Sequence, residues 1–225
     1  MLLIKALVCD VDGTITDASK RIQVVGIVAL RRMQERGYPV IIASGNVLPV
    51  AFGLSAFIGL KAPVIAENGG LVSYQEKIYR LQSREAPERA FAYLKQRMPE
   101  VERLFTDNWR ETEVALKRST DEQKVRDILK DERVEIEATG FAIHIMEPGH
   151  NKLQGVKKAG ELVGIDIEHV AAFGDSDNDA GMLSGCGVGI AVGNASEKAK
   201  RAADYVCKAD HSKGVVEGLK YLGLL

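Results

Sequence analysis

The stretch VCDVDGTITD, residues 8–17, closes an apolar run, LIKALVCD at 3–10, with two carboxylates two positions apart and then Gly-Thr. A near-continuous apolar run of this length reads as a strand buried on both faces of a parallel sheet. Carboxylates crowded into one small volume repel each other and are costly to desolvate, so a cation is expected between them. Residues i and i+2 share one face of a strand, which would let Asp10 and Asp12 address the same volume. Gly13 permits a sharp turn, and backbone N–H groups near Thr14 are expected to face an anion.

Working outward, a helix is expected from Ser19 to Gly37, with Ile22, Val25, Leu30 and Met33 on its apolar face. YPVIIAS (38–44) reads as a second buried strand. Asn46 is placed to cap a following helix that carries Pro49 in its first turn, and APVIAENGG (62–70) gives a third strand. Strand–helix alternation of this kind predicts right-handed βαβ units. Between about residues 80 and 150 the texture changes. Amphipathic helices at 86–98 and 120–132 stand among alternating strands at 112–118, 133–139 and 141–147, the last two joined by a tight hairpin at Thr139-Gly140. Buried-strand texture returns with helices at 151–164 and 177–185, from Ser196 and from Ser212, and strands at 168–175, 188–193 and 204–207. The expected fold is α/β: a Rossmann-like doubly wound parallel sheet formed by residues 1–81 and 151–225, with an inserted α+β domain at 82–150.

Bulk properties narrow the function. Lys+Arg number 30 against Asp+Glu 31, and aromatics make up only 6%, so neither charge nor stacking favours nucleic acid or an anionic membrane. The longest uncharged apolar stretch, residues 47–60, contains Pro49 and falls short of the ~20 residues that span a bilayer. Cys9, Cys186 and Cys207 lack CxxC spacing and read as reduced thiols. A cytoplasmic chain, monomeric or homodimeric, is expected. DSDNDAG (175–181) fails as a calcium loop because Ala180 and Cys186 fall where Gly and Glu are required, and GCGVGIAVG (185–193) lacks dinucleotide-binding spacing.

Ligands of an open parallel sheet bind beyond the carboxyl ends of its strands. There the first strand delivers Asp10 and Asp12 and the second Ser44. Lys152 opens the helix after the insertion, and GDSDND (174–179) brings Asp175, Asp177 and Asp179. An oxygen-only donor set points to Mg²⁺ rather than zinc. Lys152 and Ser44 suit phosphate oxygens. Asp177 is expected to cap the short helix that follows. Asn178 is undecided between capping and supporting the site. Cys9 and His144 are expected to be packing residues, Trp109 falls in a loop of the insertion, and His150 borders the return to the core.

DVDGT, the ASGN of residues 43–46, Lys152 and GDSDND together resemble, in order, the four motifs of the haloacid dehalogenase-like phosphatases, over roughly residues 1–80 and 150–225. The insertion point resembles the branch with an α/β cap found in Cof-type phosphatases, and the compact cap is similar to that of archaeal phosphoglycolate phosphatases. The resemblance implies that Asp10 is a nucleophile forming an aspartyl-phosphate and that Asp12 is the general acid and base. It implies Mg²⁺ held by Asp10, Asp12 (through its carbonyl), Asp175 and Asp179, the last either as a ligand or as a support. Ser44, Gly45 and Lys152 would bind the phosphoryl group of a small phosphorylated metabolite, with 2-phosphoglycolate the first expectation. A sugar-phosphate phosphatase, a phosphomutase and a catalytically idle phospho-ligand module are the alternatives.

Overall fold

The computed structural model describes residues 3–225. In chain order the elements are β1 (Ala6–Asp10), α1 (Val24–Glu35), β2 (Val40–Ala43), α2 (Leu48–Ile58), β3 (Val64–Ala66), β4 (Leu71–Tyr74) and β5 (Lys77–Arg80). Then come α3 (Glu85–Arg97), β6 (Val114–Lys117), α4 (Glu122–Leu129), β7 (Glu135–Ala138), β8 (Ala142–Met146) and α5 (Lys152–Val163). The chain closes with β9 (Val170–Gly174), α6 (Ala180–Gly185), β10 (Val188–Ala191), α7 (Glu197–Ala202), β11 (Tyr205–Val206) and α8 (His211–Tyr221).

Eight strands form one sheet in the order β11-β10-β9-β1-β2-β3-β4-β5, parallel from β11 to β3 and antiparallel beyond. The period of two is visible in the packing. Leu7, Cys9, Ile42 and Phe173 turn to one face, where Leu30 and Met33 of α1 and Val215 and Leu219 of α8 cover them. Ala6, Val8, Ile41 and Ala172 turn to the other, beneath Val156 of α5, Leu183 of α6 and Ala199 of α7. Helices on both faces of a parallel sheet explain why these strands carry no alternation of polar and apolar residues. The second sheet, β6-β8-β7, is antiparallel, and α3 and α4 pack on it through Leu94, Val125 and Leu129 against Val114, Leu116, Ile143 and Ile145.

Two expectations are corrected, and one element lies outside them. The first helix begins at Val24, not near Ser19. Residues 16–22 form a loop closed by a Thr16–Ile22 bridge, because the Asp17 carboxylate accepts the Ser19 and Arg21 amides at 2.8 and 3.1 Å and holds the chain out of the helix. Ile22 and Val25 are therefore exposed, and Gly26 instead packs against Ser212. The β4–β5 hairpin was not expected. Its turn residues, Gln75 and Glu76, take positive φ of 48° and 62° without the Asn or Gly that signals such a turn. Asn46 does not cap α2: Val47 occupies the N-cap position and no side chain caps it.

Candidate active site

β1 lies between β9 and β2, so its carboxyl end is where the sheet's connections diverge to either side. That neighbour relation brings Asp10 beside the loop after β9, which carries Asp175–Asp179, and the start of α5 brings Lys152 to the same point. The Lys152 Nζ donates to Asp10 Oδ1 at 2.5 Å and to Asp179 Oδ1 at 2.7 Å. All three residues are buried, Lys152 to 1% exposure. Burial alone would strip the ammonium of its proton, but Asp10 and Asp179 outweigh that and hold Lys152 above its ordinary value.

Asp179 is fully engaged: its Oδ2 accepts the Asp175 and Ser176 amides at 3.0 and 2.9 Å and the Ser176 hydroxyl at 3.2 Å. Asp10 is different. Its Oδ2 is buried without a hydrogen-bond donor. Oxygens of Asp10, Asp175 and Asp179 lie within 4.8 Å of one another. Burial, then the Asp179 charge, pushes Asp10 well above the carboxylate range, and the same two causes push Asp175 up to about 7. One ammonium against three carboxylates leaves two negative charges when all ionise. A crowded all-oxygen donor set with that excess of negative charge fits a hard divalent cation.

Asp12 lies just past the end of β1 rather than within the strand, and lines one cavity with Asp10. Gly13 takes φ +90°, as expected of the turn, and a Cβ there would collide with Asp175 Oδ2 at 2.2 Å. The amides near Thr14 are not available to an anion: Gly13 donates to Thr16 Oγ1 at 2.9 Å, and Thr14 donates to the Val11 carbonyl at 3.3 Å. Ser44 is buried, its Oγ accepting the Asn46 amide at 3.0 Å. Gly45 lines the cavity that holds Asp10, Asp12, Lys152 and Asp175, while Ser44 lines an adjoining one. Asp177 does not cap the following turn. Ser176 does so in a capping box with Asp179, and Asp177 Oδ1 accepts the Ser196 hydroxyl at 2.6 Å.

Besides Thr14 of the DVDGT segment, two residues at the site, Asn194 and His211, carry no sequence signal. Thr14 Oγ1 donates to Asp175 Oδ1 at 3.1 Å. Asn194 Nδ2 reaches Asp175 Oδ2 at 3.4 Å and the Gly13 carbonyl at 3.0 Å, and the His211 Nδ1 lies 2.7 Å from that carbonyl. The cavity, about 270 Å³, is walled on one side by Thr139, Gly140 and Phe141 of the β7–β8 hairpin. His144 Nε2 meets Thr139 Oγ1 at 3.1 Å and its Nδ1 meets Glu113 Oε1 at 2.9 Å. Glu113 is ion-paired with buried Arg110, whose Nη1 donates to the Gly45 carbonyl at 3.0 Å. Asn68 donates to Glu113 Oε2 and accepts from Asn178, both at 3.0 Å. A buried polar chain thus ties the hairpin to the core loops, and only its pairing makes burial of these charges tolerable. His144 is accordingly a buried connector. His150 is also buried, its Nε2 meeting the Glu67 carbonyl at 2.6 Å, and Cys9 is buried in β1. Trp109 is about half-exposed in a short turn before β6.

Comparison with known proteins agrees with this architecture. The family model for haloacid dehalogenase-like hydrolases matches residues 7–114 and 112–219. A phosphoglycolate phosphatase of Methanothermobacter thermautotrophicus is 38% identical over 216 residues, covering 96% of this chain and 97% of that one. A phosphoglycolate phosphatase of Archaeoglobus fulgidus is 37% identical over 223 residues, covering 98% of each. The crystal structure of protein 0175 of Thermoplasma acidophilum superposes with a TM-score of 0.91 at 26% identity, over 99% of this chain and all (100%) of that one. With the family model matched over residues 7–219 and nearly the whole length shared with these relatives, the chain belongs to the haloacid dehalogenase-like hydrolases.

Proposed function

We propose that the protein is a Mg²⁺-dependent phosphomonoester hydrolase that works through an aspartyl-phosphate on Asp10, with 2-phosphoglycolate as its substrate. The observation that carries this reading is the asymmetry of Asp10. One carboxylate oxygen is fixed by Lys152 and the other has no donor, leaving an oriented oxygen free to form a new bond. Oδ2 attacks phosphorus as the bond to the leaving oxygen breaks, and Asp12 supplies the proton to the departing alcohol. In the second half Asp12 takes a proton from water as that water displaces the phosphoryl group from Asp10, releasing phosphate and restoring the Asp10 carboxylate and the protonated Asp12. Lys152 and the Gly45 segment hold the phosphoryl oxygens. Asp179, with all its bonds committed, keeps the Asp175 loop and Lys152 in place. Asp10, Asp175 and the Asp12 carbonyl would hold Mg²⁺, which when bound neutralises charge on the transferring group. Residues 82–150 act as a cap, and its hairpin at 139–141 walls the cavity. The substrate is taken from the two archaeal relatives named as phosphoglycolate phosphatases, each matched over nearly its full length.

Phosphate release from 2-phosphoglycolate, hexose phosphates, phosphoglycerates and a nitrophenyl ester, with Mg²⁺ and with excess chelator, tests the proposal. A chelator-sensitive kcat/KM favouring 2-phosphoglycolate at least about tenfold, near 1.4 kcal/mol of discrimination, is expected. Asp10→Asn is expected to abolish release while the circular dichroism spectrum stays native. Turnover surviving in Asp10→Asn would remove the nucleophile assignment, and a flat profile would remove the named substrate.

A further inference from the structure

The reaction proposed above uses one end of the cavity and leaves the alcohol side of the substrate without a partner. The cavity lining is strongly acidic, with Asp10, Asp12, Asp17 and Asp175, and its cations are Lys152 and Lys20. Lys152 is saturated by Asp10 and Asp179. Lys20 has no carboxylate within ion-pair distance among the described residues, and its Nζ sits 4.9 Å from the centroid of the Phe141 ring. The other cation of the same loop, Arg21, is tied to Asp17 at 3.1 Å.

The loop is built to present this one ammonium. Asp17 accepts the Ser19 and Arg21 amides, the Lys20 amide donates to the Asp17 carbonyl at 2.8 Å, and the Thr16–Ile22 bridge closes the base. Lys20 itself takes φ +60°, a left-handed conformation disfavoured for residues other than glycine. Strain of this kind at the wall of a cavity points to a functional constraint. Phe141, brought across by the β7–β8 hairpin, faces the ammonium with the negative side of its ring and keeps it over the cavity.

We propose that Lys20 is a specificity-determining residue that receives a carboxylate carried by the leaving alcohol, so that the cavity selects small phosphate monoesters with a second anionic group. This rests on the phosphomonoester hydrolase reading and extends it to the far end of the substrate. A compact, strongly hydrated ammonium on a flexible stem recognises a carboxylate as a point charge. It also relieves the repulsion that the acidic lining would impose on a dianionic or trianionic substrate.

The test compares 2-phosphoglycolate with ethyl phosphate, a monoester of similar size whose tail is uncharged, in wild type, Lys20→Met and Lys20→Arg, with Mg²⁺. In Lys20→Met the ratio of kcat/KM for 2-phosphoglycolate to that for ethyl phosphate is expected to fall at least about tenfold, through KM rather than kcat. Lys20→Arg is expected to restore most of the ratio. An unchanged ratio in Lys20→Met, or a proportional loss on both esters, would overturn the assignment while leaving the hydrolase reading standing. Release of phosphate from neither ester by the wild type would remove the hydrolase reading and the Lys20 subsite with it.

Discussion

Replacing Lys152 with Met removes the ammonium that bridges the buried Asp10 and Asp179 carboxylates at this site while nearly preserving volume. Two like charges at the 4.8 Å limit of the cluster repel by about 3.5 kcal/mol at an effective dielectric of about 20. Removing one partner from a buried ion pair costs about 3–5 kcal/mol, so the two figures agree on scale. Lys152→Met is therefore expected to lose about 3–5 kcal/mol of stability at pH 7.5 in chelator. The assay is urea unfolding followed by circular dichroism, with the slope unchanged and the midpoint lowered. Asp175, pushed up to about 7 by burial and the Asp179 charge, takes up a proton as pH falls. The deficit should accordingly shrink by about half at pH 5. The double variant Asp10→Asn/Lys152→Met, which removes one of the stranded charges, should recover about 2 kcal/mol of the loss. A deficit under about 1 kcal/mol at pH 7.5, or no recovery in the double variant, would refute the view that one ammonium holds this cluster together.

Three further outcomes are expected. Mg²⁺ should raise the wild-type Tm logarithmically with its concentration, equivalent to about 2.7 kcal/mol at a hundred times Kd, and Asp175→Asn should lose most of that shift in differential scanning fluorimetry. Burial, then the Glu113 charge, lifts Glu67 from 4.5 to about 7, against the hydrogen bonds from Thr112. The folded state therefore holds an extra proton between those values. The stability this contributes is present below pH 4.5 and lost as pH rises to 7, up to about 3 kcal/mol. Glu67→Gln should flatten that slope in unfolding curves taken across the range, and parallel profiles would contradict it. Gly69 has φ +99°, and a Cβ there would meet the Asn151 carbonyl oxygen at 2.2 Å and the Lys152 Cα at 3.0 Å. Gly69→Ala should cost well over 2 kcal/mol and depress turnover by displacing Lys152. Gly37→Ala, at φ +88° in open space, should cost only about 1–2 kcal/mol in the same assay.

What was legible in the sequence is what short-range physics dictates. The apolar run before Asp10 could only be a doubly covered strand, since every second residue serves a different helix layer. The carboxylates at its end needed a cation wherever the rest of the chain went. The four motif segments were legible because each marks a strand end or helix start, and such ends meet at one edge of a parallel sheet. The helix expected from Ser19 starts only at Val24 because Ile22 and Val25 keep helical spacing in the sequence while a single Asp17 side chain diverts the backbone. The β4–β5 turn was missed because Gln75 and Glu76 are held at positive φ by the sheet they join, not by their own preference.

The sequence by itself determined the fold class and the carboxylate, hydroxyl and ammonium groups that the strand ends and loops carry. Only the tertiary structure decided how those groups divide their bonds. It committed Asp179 to amides and Lys152, left Asp10 Oδ2 without a donor, turned Gly45 to the cavity and brought Lys20 to Phe141. The physical reason is range. Strand and turn preferences act over a few residues, whereas the contact between residues 20 and 141 exists only once two separate sheets have packed and a buried chain through Asn68, Glu113 and His144 has fixed their register.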